Sequence, residues 1–133
     1  MKAAMTSFLL VSLVALSSFS LDAQNAIDKV IAAMRSGNSA ELSKYFDDNV
    51  EISLPGKSDS YSKAQAQVIL RDFFGNNAVQ GFELKHKGDA PGGGGQFCVG
   101  TLKTKSGNYR AHVFMKPKSN KEVVEKIRLQ LNE

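Results

Sequence analysis

The sequence predicts an α+β domain in which helices cover one face of an antiparallel sheet. In three segments of the first half of the chain, apolar residues repeat with helical spacing, whereas in the second half they alternate with polar residues. The order is helix, helix, strand, helix and then four strands joined by turns, which is typical of helices packed against a single sheet. The 133 residues are enough for one domain of this kind.

The N-terminus predicts a secretory signal peptide that is not part of the fold. Lys2 is followed by an apolar run at residues 8–16 and then by small and polar residues. This order is typical of a cleavable signal, and the run is too short for a permanent membrane helix. We therefore expect a signal peptide at residues 1–23 and a single domain at residues 24–133. The mature protein would be periplasmic or extracellular, with no integral membrane segment; the alternative is a retained anchor helix.

The composition argues against several kinds of partner and cofactor. The formal net charge is +4, and basic residues alternate with acidic ones, which predicts a solvated surface with weak attraction for anions. Basic residues are not interleaved with a series of aromatic residues, so we predict no nucleic-acid partner. The two histidines and the single Cys98 have no metal-ligand spacing, and we predict no metal and no cofactor. An internal disulfide is excluded, so the core or a partner subunit has to stabilise the fold.

Three helices are predicted from their apolar faces and their end signals. The first covers residues 25–35, with apolar residues spaced three and four apart, and Gly37 ends it. The second is short and begins at Ser39. The third begins at Ser62, which has Gln65 three residues later, as in a capping box.

Five strands are predicted from alternation, at residues 50–54, 82–87, 97–101, 109–116 and 123–131. The residues Asp47-Asp48-Asn49 are interpreted as a polar turn that ends the second helix. Alternation places Phe97 and Val99 on the inner, apolar face of their strand and Cys98 on the opposite face, where its lone thiol is predicted to be inert. In the last strand it places Val123 on the inner face.

A tempting phosphate-binding signal occurs at Gly56-Lys57-Ser58. A complete phosphate loop needs another glycine five residues earlier, and that position holds Glu51. Pro55 also removes a backbone donor there. We therefore interpret the segment as a turn, followed by a polar connection, residues 57–61, that leads to the third helix.

Several segments resemble a known family of small exported bacterial proteins. They are Ser36–Phe46, Leu54–Lys57, Tyr61–Ala66, Asp72–Phe74 and Gly100–Leu102. The family is a domain of unknown function within the nuclear transport factor 2-like, or cystatin-like, superfamily. The resemblance implies a strongly curved antiparallel sheet that wraps about three N-terminal helices into a cone. Members of this superfamily include isomerases, dehydratases, polyketide cyclases and non-catalytic binding or dimerising domains.

The cone that the resemblance implies suggests a ligand cavity. The candidate ligand-binding residues are Tyr45, Tyr61, Phe73, Phe82 and His86. His86 shares strand parity with Phe82, so its imidazole is predicted to line the cavity as a general base or hydrogen-bond donor, and Tyr61 is the other weak catalytic candidate. The alternative for His86 is a histidine at a strand end whose polar atoms are satisfied locally.

Acidic residues could add an oxyanion hole to such a cavity. A tyrosine and a protonated aspartate can form one, and Asp47 and Asp48 are the candidates. This requires an aspartate in an apolar site, and we favour the polar-turn interpretation of these residues.

One surface of the sheet is predicted to be both basic and apolar. Its members are Arg110, Phe114, Lys116, Val124, Lys126 and Arg128, with His112 beside them. Such a surface either binds a partner, including a second copy in a homodimer, or is simply solvated, and both interpretations stay open.

Three functions remain after these exclusions. We favour a non-catalytic module that binds a small apolar or amphipathic ligand in the cone, or a protein on the sheet face. The second is an isomerase-, dehydratase- or cyclase-like enzyme with His86 or Tyr61 in the cavity. The third is a purely structural domain that dimerises through its sheet.

Overall fold

The computed structural model describes residues 26–132, and the predicted signal peptide lies outside these residues. The helices are α1 (Ala26–Ser36), α2 (Ser39–Ser43) and α3 (Lys63–Asn76). The strands are β1 (Phe46–Leu54), β2 (Lys57–Ser62), β3 (Val79–Asp89), β4 (Gln96–Thr104), β5 (Gly107–Lys118) and β6 (Lys121–Leu131), and a short 3-10 turn (Pro91–Gly93) joins β3 to β4.

Helix α1 ends at a glycine for two independent reasons. Gly37 has a φ of 63°, a left-handed conformation that closes the helix: its N–H donates to the Met34 carbonyl at 3.1 Å, and the Asn38 N–H donates to the Ala33 carbonyl at 2.9 Å. A Cβ at this position would also lie only 2.8 Å from Cγ2 of Val79. The predicted helix end is therefore confirmed.

Helix α3 begins with the predicted capping box. The Ser62 hydroxyl accepts a hydrogen bond from the Gln65 N–H at 3.3 Å, and the Gln65 side chain accepts one from the Ser62 N–H at 3.4 Å. The helix ends at Asn76, where the following Asn77 N–H donates to the Phe73 carbonyl at 2.9 Å.

The six strands form one curved, open sheet in the order β2-β1-β6-β5-β4-β3. The predicted α+β fold is therefore confirmed. Four neighbouring pairs are antiparallel, but β1 and β6 are parallel, which the prediction of an antiparallel sheet did not include. The first and last strands of the described fold thus meet near its centre.

Strand β2 was not predicted, because its polar sequence was interpreted as a connection. Gly56, with a φ of 76°, turns the chain back, and Lys57–Ser62 then pairs with β1. An edge strand that is mostly exposed needs no alternating apolar residues, since backbone hydrogen bonds to its neighbour hold it. The polar turn predicted at residues 47–49 is likewise wrong, because β1 begins at Phe46.

A β-bulge in β3 moves His86 to the other side of the sheet. Phe82 is buried as predicted, and Leu84 pairs with Gly100. The register then shifts by one residue, so that His86 pairs with Val99. Because one extra residue reverses the facing of every side chain beyond it, the prediction that His86 faces inward is wrong.

Strand β4 also faces the opposite way to the prediction. Cys98 and Leu102 are fully buried against the helices, whereas Phe97 and Val99 are half-buried on the other surface. Alternation could not decide between the two faces, because both carry apolar residues. Packing decides it: a Cβ on Gly100 would lie 2.5 Å from the Phe82 ring, so this inner face is in close contact with β3.

A second register shift reverses part of β6. Phe114 pairs with Lys126, but the next residue, Met115, pairs with Val124. Val124 is therefore fully buried, and Val123 lies half-buried on the surface where Val124 had been predicted.

The helices and the inner face of the sheet enclose one apolar core. Its largest fully buried side chains are Met34, Leu42 and Leu70 from the helices and Ile52, Leu102, Met115, Ile127 and Leu129 from the strands. Burying each such side chain stabilises the fold by about 1.5–3 kcal/mol. These side chains occupy the space between helices and sheet where a cone cavity had been predicted.

Candidate functional site: the outer face of the sheet

The sheet surface opposite the helices, the outer face, carries both histidines and several charged and aromatic side chains that do not belong to the core. The helices bury their apolar sides in the core cluster, to which no residue of the outer face belongs. The side chains of the outer face include Glu51, Ser53, Glu83, His86, Phe97, Val99, Thr101, Lys103, Arg110, His112, Phe114, Lys116, Val123, Lys126, Arg128 and Gln130.

The pairing of five strands aligns the centre of the outer face in a row. Ser53, Arg128, His112, Val99 and His86 are successive partners across β1, β6, β5, β4 and β3. Directly opposed side chains on one face are about 4.5–5.5 Å apart at Cβ, so the members of this row are neighbours. Both histidines of the chain therefore lie in one row, with a valine between them.

The adjacent row supplies aromatic rings. Phe114 on β5 pairs with Phe97 on β4. The His112 ring lies edge-on to Phe114 with centroids 5.9 Å apart, and the His86 ring is tilted against Phe97 at 5.3 Å. Together with Val99, the Phe97 and Phe114 rings form a half-buried aromatic strip across the middle of the outer face.

The charges of the outer face are only partly compensated. The Nζ atom of Lys126 lies 3.6 Å from Oε2 of Glu51, and the Nζ atom of Lys116 lies 2.9 Å from Oδ2 of Asp47. Within residues 26–132, neither Arg110 nor Arg128 forms an ion pair. The aromatic strip is thus bordered by two arginines whose charge is not neutralised.

Both arginines affect the protonation of His112. Its pKa lies below its ordinary value, first because partial burial disfavours the charged form, and then because Arg110 and Arg128 are close. Arg128 is directly opposite His112, and Arg110 is two residues away on the same strand. The imidazole therefore stays neutral to lower pH than an exposed histidine would.

Asp47 lies at one corner of this face, and its environment is the opposite of an oxyanion hole. Its carboxylate accepts hydrogen bonds from Lys118 at 2.6 Å and Lys116 at 2.9 Å. These bonds hold the pKa of Asp47 well below its ordinary value, and the bond from Lys118 has the largest effect. An oxyanion hole needs a carboxyl group that is kept protonated, so the hypothesis that Asp47 forms one is wrong. Sequence alone did not reveal the pairing, since the lysines are about seventy residues away in the chain.

The five candidate ligand residues do not share one cavity in the described part of the chain. Tyr45 lines a groove of about 220 Å³ beside α1 and α2. Tyr61 lines another, of about 320 Å³, along α3. Phe73 and Phe82 are buried in the core, where the Phe73 ring packs edge-on against Tyr109 at 5.0 Å. His86 lies on the outer face, away from the core.

Cys98 is placed in the core. Burial raises the pKa of its thiol to about 11, so the nucleophilic thiolate is scarce at neutral pH.

Sequence reasoning did not place on the outer face the residues that the bulges in β3 and β6 and the orientation of β4 bring there. They are His86, Phe97, Val99 and Val123. The one sequence signal that could have found part of this set is Gly100, which marks the side of β4 that a neighbour approaches closely.

Residues 27–130 match the protein family described as Domain of unknown function (DUF4783). The chain belongs to the DUF4783 family. This confirms the resemblance to a domain of unknown function that the sequence segments indicated.

Crystal structures of other DUF4783 proteins have the same fold. A DUF4783 family protein from Bacteroides uniformis is 34% identical, with a TM-score of 0.78, and the match covers 82% of this chain and 99% of that one. A DUF4783 family protein from Bacteroides ovatus is 35% identical, with a TM-score of 0.75, and the match covers 79% of this chain and 94% of that one.

More distant structures share the fold of this DUF4783 chain. An NTF-2-like protein of unknown function from Burkholderia xenovorans is 15% identical, with a TM-score of 0.65, over 86% of this chain and 87% of that one, which shows the shared fold alone. No curated protein matches this chain. Across residues 26–132, no helix of this DUF4783 chain is long and apolar enough to span a membrane, and no cluster of His, Cys, Asp or Glu side chains could hold a metal ion.

Proposed function

We propose that this DUF4783 domain is an exported, non-catalytic protein-interaction module that binds its partner on the outer face. The observation that carries the proposal is the half-buried strip of Phe97, Val99 and Phe114, which lies outside the apolar core. Aromatic side chains are enriched at the centres of protein interfaces, and polar and charged residues at their rims. The apolar run at residues 8–16 supports export.

The placement of the catalytic candidates supports a non-catalytic role. General acid–base catalysis needs a titratable group positioned by a partner at hydrogen-bond distance. His86 contacts a phenylalanine ring, and no carboxylate is paired with it in the described chain. Tyr61 lines a separate groove beside α3.

Site-specific photo-cross-linking in cells that produce the protein tests this function. A benzophenone amino acid replaces Thr101, which lies on the outer face, or Asp72, an exposed residue of α3 that serves as the control. We expect a discrete cross-linked product from position 101 and none from position 72. Cross-linking from neither position, or the same products from both, would refute the outer face as the binding surface. A product of two copies of this chain would keep the surface but make the domain a homodimer.

A second candidate function is favoured by the groove beside Tyr61. Its other lining residues are Ala64, Gln65, Val68 and Ile69, and Val68 is 42% exposed, so an apolar side chain is available to a ligand there. This groove is the best site for the small apolar or amphipathic ligand considered from the sequence. Titration with a fluorescent fatty acid tests it: a Val68→Asp variant should lose binding, whereas unchanged binding by that variant would rule the groove out.

A further inference from the structure

The strongest unexplained feature of the outer face is its pair of uncompensated arginines. The chain has four arginines: Arg35 and Arg71 lie on helices, and Arg110 and Arg128 lie on the outer face. Of the lysines beside them, Lys126 is matched by Glu51 and Lys116 by Asp47. Glu83, which lies on the same face, is matched by Lys85 and Lys103. Among residues 26–132, Arg110 and Arg128 therefore remain without an acidic partner at the centre of the outer face.

The geometry of the pair suits a carboxylate ligand. Arg128 is opposite His112, and Arg110 is diagonal to Arg128 on the adjacent strand. Diagonal neighbours are about 7–8 Å apart at Cα, within reach of long side chains. Two arginines that flank one histidine can donate paired hydrogen bonds to carboxylate oxygens, the acceptor that the planar guanidinium group fits best.

Hydroxyl groups extend the same site. Thr101 pairs with Arg110 on one side, and Ser53 pairs with Arg128 on the other. Both side chains can donate hydrogen bonds to an anion. The aromatic strip runs directly alongside, so a bound segment could place carboxylates on the arginines and an apolar side chain on Phe97 and Phe114.

We propose that Arg110, His112 and Arg128 bind the carboxylates of an acidic segment of another protein, whose apolar side chains pack on Phe97 and Phe114. This inference rests on the proposed function, because it names the class of partner that the outer face takes. A second copy of this chain fits less well, since each copy carries a net charge of +4 and a face-to-face pair would bring four uncompensated arginines together.

The test uses a fluorescent peptide in which glutamates alternate with leucine and phenylalanine, with binding followed by anisotropy. The double variant Arg110→Gln/Arg128→Gln removes the two outer-face charges. Arg35→Gln/Arg71→Gln is the matched control, because it removes the same net charge from the helices. We expect the outer-face variant to weaken binding about tenfold or more, and the control to change it less than about threefold.

Competition experiments identify the anion that is recognised. A peptide with glutamine in place of each glutamate should not bind, and rising NaCl should weaken binding of the acidic peptide because it screens the charges. Equal losses in the two double variants would overturn the site, because they would indicate attraction by net charge alone. Binding of millimolar phosphate or of anionic vesicles, with no binding of the peptide, would overturn the protein partner.

Failure of this inference can be told apart from failure of the proposed function. If the acidic peptide does not bind while cross-links from position 101 persist, the outer face is still an interaction surface but its partner is not acidic. If the cross-links are also absent, both proposals are wrong. Thermal unfolding of each variant confirms that a loss of binding does not come from a loss of folding.

Discussion

The Nζ atom of Lys118 lies 2.6 Å from Oδ1 of Asp47, so the end of β5 is joined to the start of β1 by a charged hydrogen bond. Lys116 donates to the other carboxylate oxygen at 2.9 Å. The Asp47 side chain is only 9% exposed, whereas both lysines are more than 40% exposed. A nearly buried carboxylate is therefore neutralised by two lysines that still contact water.

Replacing this carboxylate should destabilise the fold. We expect Asp47→Asn to lower the free energy of unfolding by about 1–2 kcal/mol at neutral pH, because two charged hydrogen bonds are weakened. Urea denaturation measures the loss. The matched control is Asp48→Asn, since that side chain is 88% exposed and its loss should cost less than about 0.5 kcal/mol. Equal effects of the two substitutions would contradict the role of Asp47.

The same pair predicts a dependence on acid. The folded-state pKa of Asp47 lies below its ordinary value of 3.8, so its contribution to stability is fully present above that value and is lost as the pH falls through and below it. The difference in unfolding free energy between the wild type and Asp47→Asn should therefore shrink as the pH falls from about 4.5 towards about 3. A difference that stays constant over this range would show that the carboxylate is not paired in the folded state.

Glycine at position 100 should be required for packing. A Cβ there would lie 2.5 Å from the Phe82 ring and 2.6 Å from the Glu83 carbonyl oxygen. We expect Gly100→Ala to cost about 1–3 kcal/mol in denaturant unfolding, because the backbone of β3 has to move. Gly81→Ala is the control, since no heavy atom lies within 4 Å of the Cβ it would add. If both variants were as stable as the wild type, the close approach of β3 and β4 would be refuted.

His112 should make peptide binding depend on pH. Its charged neighbours on the outer face are Arg110, two residues away on β5, and Arg128, directly opposite on β6. Its partner on β4 is the uncharged Val99. Because its pKa is lowered, it gains its proton only on acidification, and it then adds a third cation to the site. Binding of the acidic peptide should tighten from about pH 7.5 to pH 5.5. The increase should vanish in His112→Gln and persist in His86→Gln; loss of the increase in both variants, or in neither, would contradict the role of His112.

Stability should change in the opposite direction over the same range. A histidine whose folded-state pKa is lowered contributes stability above its ordinary value of 6.5, and this is lost as the pH falls below it. Without peptide, the melting temperature of the wild type should therefore fall more on acidification than that of His112→Gln. Calorimetry at several pH values measures this, and parallel curves for the two proteins would refute it.

Cys98 should be protected in the folded protein. Its side chain is fully buried, and its thiol has a pKa of about 11. Reaction with a disulfide reagent at mildly alkaline pH should be at least about a hundredfold slower than in denaturant. In a Ser60→Cys variant, the added thiol on the exposed β2 strand should react fast while Cys98 stays protected. Rapid labelling of the native wild type would contradict the inner placement of Cys98.

The helices were predictable because their signals are local. Ser62 and Gln65 are three residues apart, and Gly37 follows α1 directly, so the residues that determine each end are close in the sequence. Strand β2 was missed because an edge strand is stabilised by backbone hydrogen bonds, and these leave no apolar pattern in Lys57–Ser62.

The outer face was only half predictable. The facing of β5 was correct, since that strand alternates strictly from Tyr109 to Met115. In β3 and β6, one extra residue reverses the alternation, and this places His86 and Val123 on the outer face. A bulge of one residue depends on pairing with a neighbouring strand, so the residues of the bulged strand alone do not reveal it.

The parallel pairing of β1 with β6 also governs when this domain can be assembled. The 11 residues of β6 are the last element of the described fold, yet they lie between β1 and β5. Until β6 is present, the sheet therefore consists of two separate parts. While the chain is being synthesised, the β1–β2 hairpin with its helices and the β3–β5 meander have no strand to join them. Completion of the sheet therefore waits until β6 has left the ribosome, and before that moment the two parts lack the central strand that holds them in one sheet.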